Sequence, residues 1–134
     1  MVLYQYIDGA KIVKYQNRIF AKVLAQNVAP AFLFKDTQNI EESLSSLKYE
    51  KNILEAYALD TNGKILGVYV KKQPYKKNQE LEKLDLKETQ FWKGLQLYTV
   101  IPVRAESKSI GYLIIVYSMK EFILHLLVQS FLLH

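Results

Sequence analysis

The chain has 134 residues, which is enough for one domain with a substantial core and too few for two. Half of its residues are hydrophobic, which indicates a globular domain and excludes a disordered one. The net charge of +5 comes from lysines interspersed with carboxylates, and only Arg18 and Arg104 are arginine, so we expect no nucleic-acid binding. The absence of cysteine excludes disulfides, thiol catalysis and cysteine-ligated metal.

A long helix with two apolar faces is predicted for residues 4–29. The face predicted to pack on the domain's own core carries Val13, Phe20, Leu24 and Val28. A second stripe has the spacing of a coiled-coil seam, and we predict it as a homodimer interface consisting of Ile12, Ile19, Val23 and Gln26. Pro30 is predicted to end the helix, because the residue before a proline disfavours the α conformation.

A short second helix follows, with Asp36 or Thr37 as its N-cap. Residues 53–59 and 64–70 are predicted to be strands joined by a tight turn, in which Asn62 and Gly63 both accept positive φ. Residues 73–93 are charged and irregular and end near a short edge strand at Trp92, while strands at 95–104 and 110–117 flank a turn at 106–109. A helix from 119 to 134 closes the chain. Together these elements predict an α+β fold in which the helices pack on one face of an antiparallel sheet.

Residues for catalysis are not predicted at any position. His125 lies in an apolar helical run without an acidic neighbour, so an interface or satisfied histidine is expected rather than a catalytic residue or a metal ligand. Asp36 and Asp60 suit a helix cap and a turn, respectively. No cofactor or metal is expected.

A ligand cavity is the other candidate site. Four tyrosines lie on four different predicted strands, and if their side chains share one face they line a pocket: Tyr57, Tyr69, Tyr98 and Tyr117. Phe32 and Phe34 would stand at its mouth, and Arg104 would hold the carboxylate of a small anionic ligand. The alternative is that these rings fill an ordinary core.

Four stretches of the sequence resemble one family when they are taken in order. They are the Ala-x-x-Leu-Ala-x-Asn run at 21–27, the Ala-Phe-Leu-Phe-Lys-Asp corner at 31–36, the Asp-Thr-Asn-Gly turn at 60–63, and Ile-Gly-Tyr-Leu-Ile at 110–114. Together they resemble the eighth type of CHASE domain, a PAS-like extracytoplasmic sensor found on membrane-bound diguanylate cyclases and some histidine kinases. The resemblance covers residues 12–120.

The resemblance implies the signal-input domain of a receptor in the bacterial inner membrane, facing the periplasm, with flanking transmembrane helices. Residues 1–30 would be a signalling and dimerisation helix, 36–118 the sensor core, and 119–134 the exit helix towards the membrane. The apolar character of both ends suits this arrangement, although no segment has the roughly 20 apolar residues that span a bilayer. The rival interpretation is a complete small protein whose last helix docks on its own core. Either a small anionic molecule or a periplasmic protein could be the input.

Overall fold

The computed structural model describes residues 2–132, and it confirms the predicted α+β fold and its order of elements. Within these residues the α-helices and strands are α1 Val2–Leu33, α2 Thr37–Ser45, β1 Ile53–Leu59, β2 Ile65–Val70, β3 Thr89–Lys93, β4 Gln96–Ala105, β5 Lys108–Ser118 and α3 Lys120–Leu132. Two short 3₁₀ helices, Ser46–Tyr49 and Gln79–Lys83, lie between them. The closing helix was predicted to reach 134, and positions 133 and 134 lie outside the described residues.

The five strands form one antiparallel, PAS-like sheet in the order β2-β1-β5-β4-β3. Because side chains alternate along a strand, each central strand contributes to two separate cores. One face carries Ala56, Ala58, Leu113 and Ile115, and α1 and α2 cover it. The opposite face carries Tyr57, Ile114 and Val116, and it is covered by the segment between β2 and β3, residues 71–88, which we call the connecting segment.

The prediction that Pro30 ends α1 is wrong, since the helix continues through Pro30 to Leu33. A proline this close to the C-terminus removes only one backbone hydrogen bond, and the burial of Ala31 and Phe32 in the core offsets that loss. The actual stop is a left-handed residue, Lys35, with φ of 55°. The Asp36 N–H then donates to the Ala31 carbonyl at 2.8 Å, which closes the helix with a Schellman-type cap.

The turns follow the local chemistry of their residues. Asp36 caps α2 as predicted, with its carboxylate accepting from the Asn39 N–H at 3.1 Å. The hairpin at 60–63 is confirmed. Gly63 has positive φ and Asn62 does not. The turn is longer than the expected two residues, because the Asp60 carboxylate accepts from the N–H groups of residues 62 and 64. The turn between β4 and β5 is shorter than predicted. Glu106 and Ser107 form it alone, both with positive φ, so both strands extend further.

A third small core joins the two ends of the described chain. Val13 of α1, Leu97 of β4 and Met119 at the start of α3 are buried together. Phe122, one turn after Met119, lies over Gly9, which is one turn before Val13. The two helices therefore run antiparallel beside each other. The N-terminal part of α1 therefore packs on α3, and its C-terminal part packs on the sheet.

Replacing Gly111 in β5 with alanine is expected to destabilise the domain. A Cβ atom there would lie 2.5 Å from the Leu59 carbonyl oxygen and 2.5 Å from the Phe32 ring, so either the sheet or the end of α1 must move. We expect Gly111→Ala to lower the free energy of unfolding in urea by about 1–3 kcal/mol. Lys108→Ala, at an exposed position of the same strand, is the control and should change it by less than about 0.5 kcal/mol. Equal stability of the two variants would contradict this packing.

Candidate functional site

The face of the sheet under the connecting segment carries the polar groups that are best placed to respond to a ligand. On β1, Glu55 and Tyr57 alternate with two alanines that face the helices. On β4, Tyr98 lies opposite Val116 of β5. Tyr57 and Tyr98 are both buried, and the Tyr98 ring stacks on Phe91 with 4.9 Å between the ring centroids. This face therefore combines apolar rings with hydroxyl groups that need partners.

Asn78 of the connecting segment supplies those partners. Its Nδ2 donates to Glu55 Oε1 at 2.9 Å and to the Tyr98 hydroxyl oxygen at 3.0 Å. The Tyr57 hydroxyl donates to the same Glu55 oxygen. The four side chains thus form one network that ties the connecting segment to two strands of the sheet.

The same asparagine also organises the backbone of the connecting segment. Asn78 Oδ1 accepts from the Glu80 N–H at 2.9 Å, which caps the 3₁₀ helix Gln79–Lys83. Glu80 accepts a hydrogen bond from Lys93 at the end of β3, and this contact lowers the pKa of the Glu80 carboxyl. The N-terminal end of the short helix is consequently fixed to the sheet through Asn78 and Glu80.

The tyrosines of this face are held in their neutral form. Burial, followed by the hydrogen bond and the negative charge of Glu55, raises the pKa of Tyr57 far above its ordinary value. Burial likewise raises the pKa of Tyr98, and the nearby Asn78 hydrogen bond only partly opposes that shift. Both hydroxyls therefore stay protonated to a higher pH than that of an exposed tyrosine.

The expected single face of four tyrosines does not exist in the structure. Tyr57 and Tyr98 share the covered face, whereas Tyr69 and Tyr117 pack against the helical core on the other side. The reason is register, because Tyr69 lies opposite Ala56 and Tyr117 lies opposite Leu97, which both face the helices. The condition on which the tyrosine-lined cavity depended is not met. Whether any of these residues contacts a ligand stays a prediction.

The remaining predicted ligand residues take no part in this network. Phe32 is buried between α1 and Gly111, and Phe34 is 78% exposed, so the two do not form one pocket mouth. Arg104 is exposed near the β4–β5 turn, at the opposite end of β4 from Gln96. It lines a shallow cleft of about 220 Å³ with Lys22, Gln26 and Glu88. Arg104 therefore takes no part in the network of the buried tyrosines, and its contact with a ligand stays a prediction.

Larger clefts border the connecting segment, and two of them lie on the covered face or at its edge. One, of about 460 Å³, lies where three leucines of the segment meet the β1–β2 hairpin: Leu81, Leu84 and Leu86. The other, of about 500 Å³, lies where β1, β2 and the start of the segment meet, and we call it the Glu55 cleft. Its lining includes Glu55, Lys72, Lys76 and Gln96, none of which was predicted as a site residue. The carboxylate of Glu55 inside the otherwise apolar strand Ile53–Leu59 was the signal available in the sequence.

The predicted dimer residues of α1 are all exposed. Ile12 is 56% exposed, Ile19 43% and Val23 51%, and Gln26 is also exposed. His125 is exposed on α3. Between residues 2 and 132, no group of acidic or histidine side chains is arranged to hold a metal ion. Over the same range, no helix combines the length and the apolar character that crossing a membrane requires.

The raised tyrosine pKa values make a testable statement about stability. The folded domain keeps the Tyr57 phenol protonated where the unfolded chain, with a tyrosine pKa of about 10, loses the proton. The contribution is therefore complete below about pH 10 and is lost as the pH rises above it. We expect the free energy of unfolding to fall between about pH 9 and about pH 11, and to fall less steeply in Tyr57→Phe.

Urea unfolding of the wild type and the variant across this pH range measures the difference. Tyr49→Phe is the matched control, because Tyr49 is 80% exposed and should leave the slope unchanged. Identical slopes for the wild type and Tyr57→Phe would show that burial and Glu55 do not raise the pKa of Tyr57 in the folded domain.

Comparison with known protein families identifies a match over most of the chain. Residues 7–116 match the CHASE8 family, described as a periplasmic sensor domain. Among curated proteins, no significant match to this sequence is found. The match runs from α1 to Val116, two residues before the end of β5, so it includes nearly all of the sheet and the elements that cover its two faces. The chain belongs to the CHASE8 family of periplasmic sensor domains.

Proposed function

We propose that this domain is the signal-input part of a homodimeric receptor in the bacterial inner membrane, and that it regulates a diguanylate cyclase. A histidine kinase is the alternative output. The extracytoplasmic sensing role follows from the family, while the membrane anchoring, the dimer and the output are our proposal. The domain itself performs no catalysis, and its effect on the output is mechanical.

The observation that carries the proposal is the antiparallel contact of α1 with α3. These two helices are the elements through which a domain with two membrane tethers would transmit a signal. Gly9 has no side chain, and the Phe122 ring occupies the space where a Cβ would stand. Val13 and Met119 continue the contact up to Leu97 of the sheet. A change in sheet packing can therefore alter how α1 lies against α3.

The dimer proposal depends on the outer side of α1. This side of α1 carries two further exposed apolar residues that were not predicted, since Tyr15 is 58% exposed and Leu33 56%. From Ile12 to Leu33 the stripe is about 32 Å long at the helical rise of 1.5 Å per residue. Apolar side chains at this spacing suit a second α1 helix, which would place two copies side by side. Membrane tethering would raise the effective concentration, so the contact need not be strong in solution.

The input could also be a periplasmic protein. Phe34 and Leu33 are exposed at the C-terminal end of α1, which is the end distant from α3. Two neighbouring exposed apolar side chains at that position suit a protein partner approaching from the periplasm.

A glycine-to-alanine change at the helix contact tests the transmission route. In Gly9→Ala, the new Cβ would lie 2.1 Å from the Phe122 ring, so either that ring must turn away or α1 and α3 must separate or rotate. We expect this variant, within a receptor that joins both helices to membrane segments and a cyclase, to shift basal cyclic di-GMP production by severalfold. Lys14→Ala, an exposed position on the same helix, is the control and should leave it unchanged.

A second change separates transmission from simple damage. Phe122→Leu removes the ring that alanine at position 9 would meet, so the double variant Gly9→Ala/Phe122→Leu should return towards wild-type output. If Gly9→Ala folds normally and leaves cyclase output unaltered, the α1–α3 contact does not carry the signal.

A charge placed in the stripe tests the dimer. Ile19→Glu would bring two carboxylates together at the interface. We therefore expect it to lower the association constant of the dimer, measured by sedimentation velocity, at least tenfold, which is about 1.4 kcal/mol. Tyr49→Glu introduces the same charge at an exposed aromatic position outside α1 and should leave association unchanged. The assignment fails if a dimeric wild type and Ile19→Glu sediment alike.

A further inference from the structure

The Glu55 cleft carries opposite charges on an apolar lining. Leu54, Val70 and Pro74 provide the apolar surface, while Glu55 and the lysines at 72 and 76 provide the charges. Glu55 and Val70 are register partners, so both side chains lie on the covered face at the same level of the sheet. The volume of about 500 Å³ is within the range of small-molecule sites.

Glu55 presents a fixed carboxylate with unused capacity. Its Oε1 accepts from Tyr57 and Asn78, which fixes the orientation of the group. Among the described residues, its second oxygen accepts no hydrogen bond, although a carboxylate has sites for about four. No lysine or arginine in the described chain lies within ion-pair distance of Glu55. A ligand with an ammonium group would supply both a hydrogen-bond donor for the second oxygen and a positive charge for the carboxylate.

The lysines that line the cleft are complementary in charge to a carboxylate group on a ligand. Six other lysines of the described chain make ion pairs with carboxylates, namely Lys22, Lys51, Lys77, Lys83, Lys87 and Lys93. Lys72 and Lys76 make none within the same residues. Lys71 differs from both, because its Nζ donates to the carbonyl oxygens of residues 50 and 51 at 2.9 and 2.8 Å. Two uncommitted ammonium groups therefore border the cleft, and a third is engaged.

We propose that the Glu55 cleft binds a free α-amino acid. The ammonium group of the ligand donates to Glu55, its carboxylate pairs with Lys72 and Lys76, and its side chain lies against the apolar lining. A simple carboxylate would meet the uncompensated charge of Glu55, and a simple amine would meet the two lysines, so each half of a zwitterion improves the binding of the other. This inference rests on the proposed sensory function and gives it a ligand class and a site.

The cleft is connected directly to the helix pair. Gln96 lines the cleft and lies between Leu95 and Leu97 in the chain. The Leu95 carbonyl accepts from the Met119 N–H at 2.8 Å, and Leu97 is buried with Met119 and Val13. A ligand that displaces Gln96 or the start of β4 therefore acts on the residues where α3 begins and α1 crosses the sheet.

Calorimetry and thermal unfolding of the 134-residue chain with each standard amino acid test the proposal. At least one amino acid should bind saturably and raise the melting temperature. Its deaminated acid and its decarboxylated amine are matched probes, and each should bind at least tenfold more weakly. If no amino acid binds, or if either analogue binds as tightly as the parent, the proposal is overturned.

Variants locate the site. Glu55→Gln keeps an acceptor for Tyr57 and Asn78 but removes the charge, and it should weaken amino-acid binding at least tenfold while leaving the binding of the deaminated acid unchanged or stronger. The double variant Lys72→Gln/Lys76→Gln affects exposed positions and should weaken the amino acid and the acid alike. Lys87→Gln, an exposed lysine outside the cleft, is the control.

Wild-type affinity in both Glu55→Gln and the double lysine variant would place the binding elsewhere and overturn the assignment. These measurements need neither the membrane nor an output domain. Failure of ligand binding therefore leaves the dimer and the α1–α3 contact untouched, whereas failure of those two leaves the binding site standing.

Discussion

The close approach of α1 to the sheet is the contact on which the rest of the domain depends. Ala21, Ala25 and Ala31 are buried along the inner side of the helix, and such small side chains let its backbone lie near the strands. Gly111 gives the same freedom on the sheet side, where the Phe32 ring enters. With its inner side fixed in this way, α1 must present its apolar outer stripe to solvent and its first turns to α3. One packing interaction thus sets both proposed signalling surfaces.

The two faces of the sheet have different physical characters, and this difference supports a division of labour. The helical face is filled mainly with aliphatic side chains and is covered by α1 and α2, and it resists rearrangement because a packed core has few alternative arrangements. The covered face is closed by an irregular segment, which is held by the polar contacts of Asn78 and Glu80 and by three partly buried leucines rather than by a buried helix. Segments held in this way open at lower free energy than core elements do. Input is therefore expected on the covered face, and transmission through the helical one.

The sequence predicts the sheet well, because apolar alternation and turn residues are local signals. It fails at Pro30, where burial of Ala31 and Phe32 outweighs one lost hydrogen bond, a balance that only the tertiary structure reveals. It also cannot assign Tyr69 and Tyr117 to a face, since that depends on the register of pairing with Ala56 and Leu97. The network of Glu55 and Asn78 was missed because 23 residues separate them and the intervening segment has no periodic pattern.

The location of the Glu55 cleft also bears on how little energy a signal requires. A ligand shifts a two-state equilibrium only by its difference in affinity for the two states, and a tenfold shift needs about 1.4 kcal/mol. One charge-assisted hydrogen bond made in one state and not in the other is enough for that. Because Gln96 adjoins both Leu95 and Leu97, such a difference at the cleft reaches Met119 across one strand of the sheet. No long chain of coupled residues is needed, so a domain of this size can link an open cleft to the pair of helices that leave it.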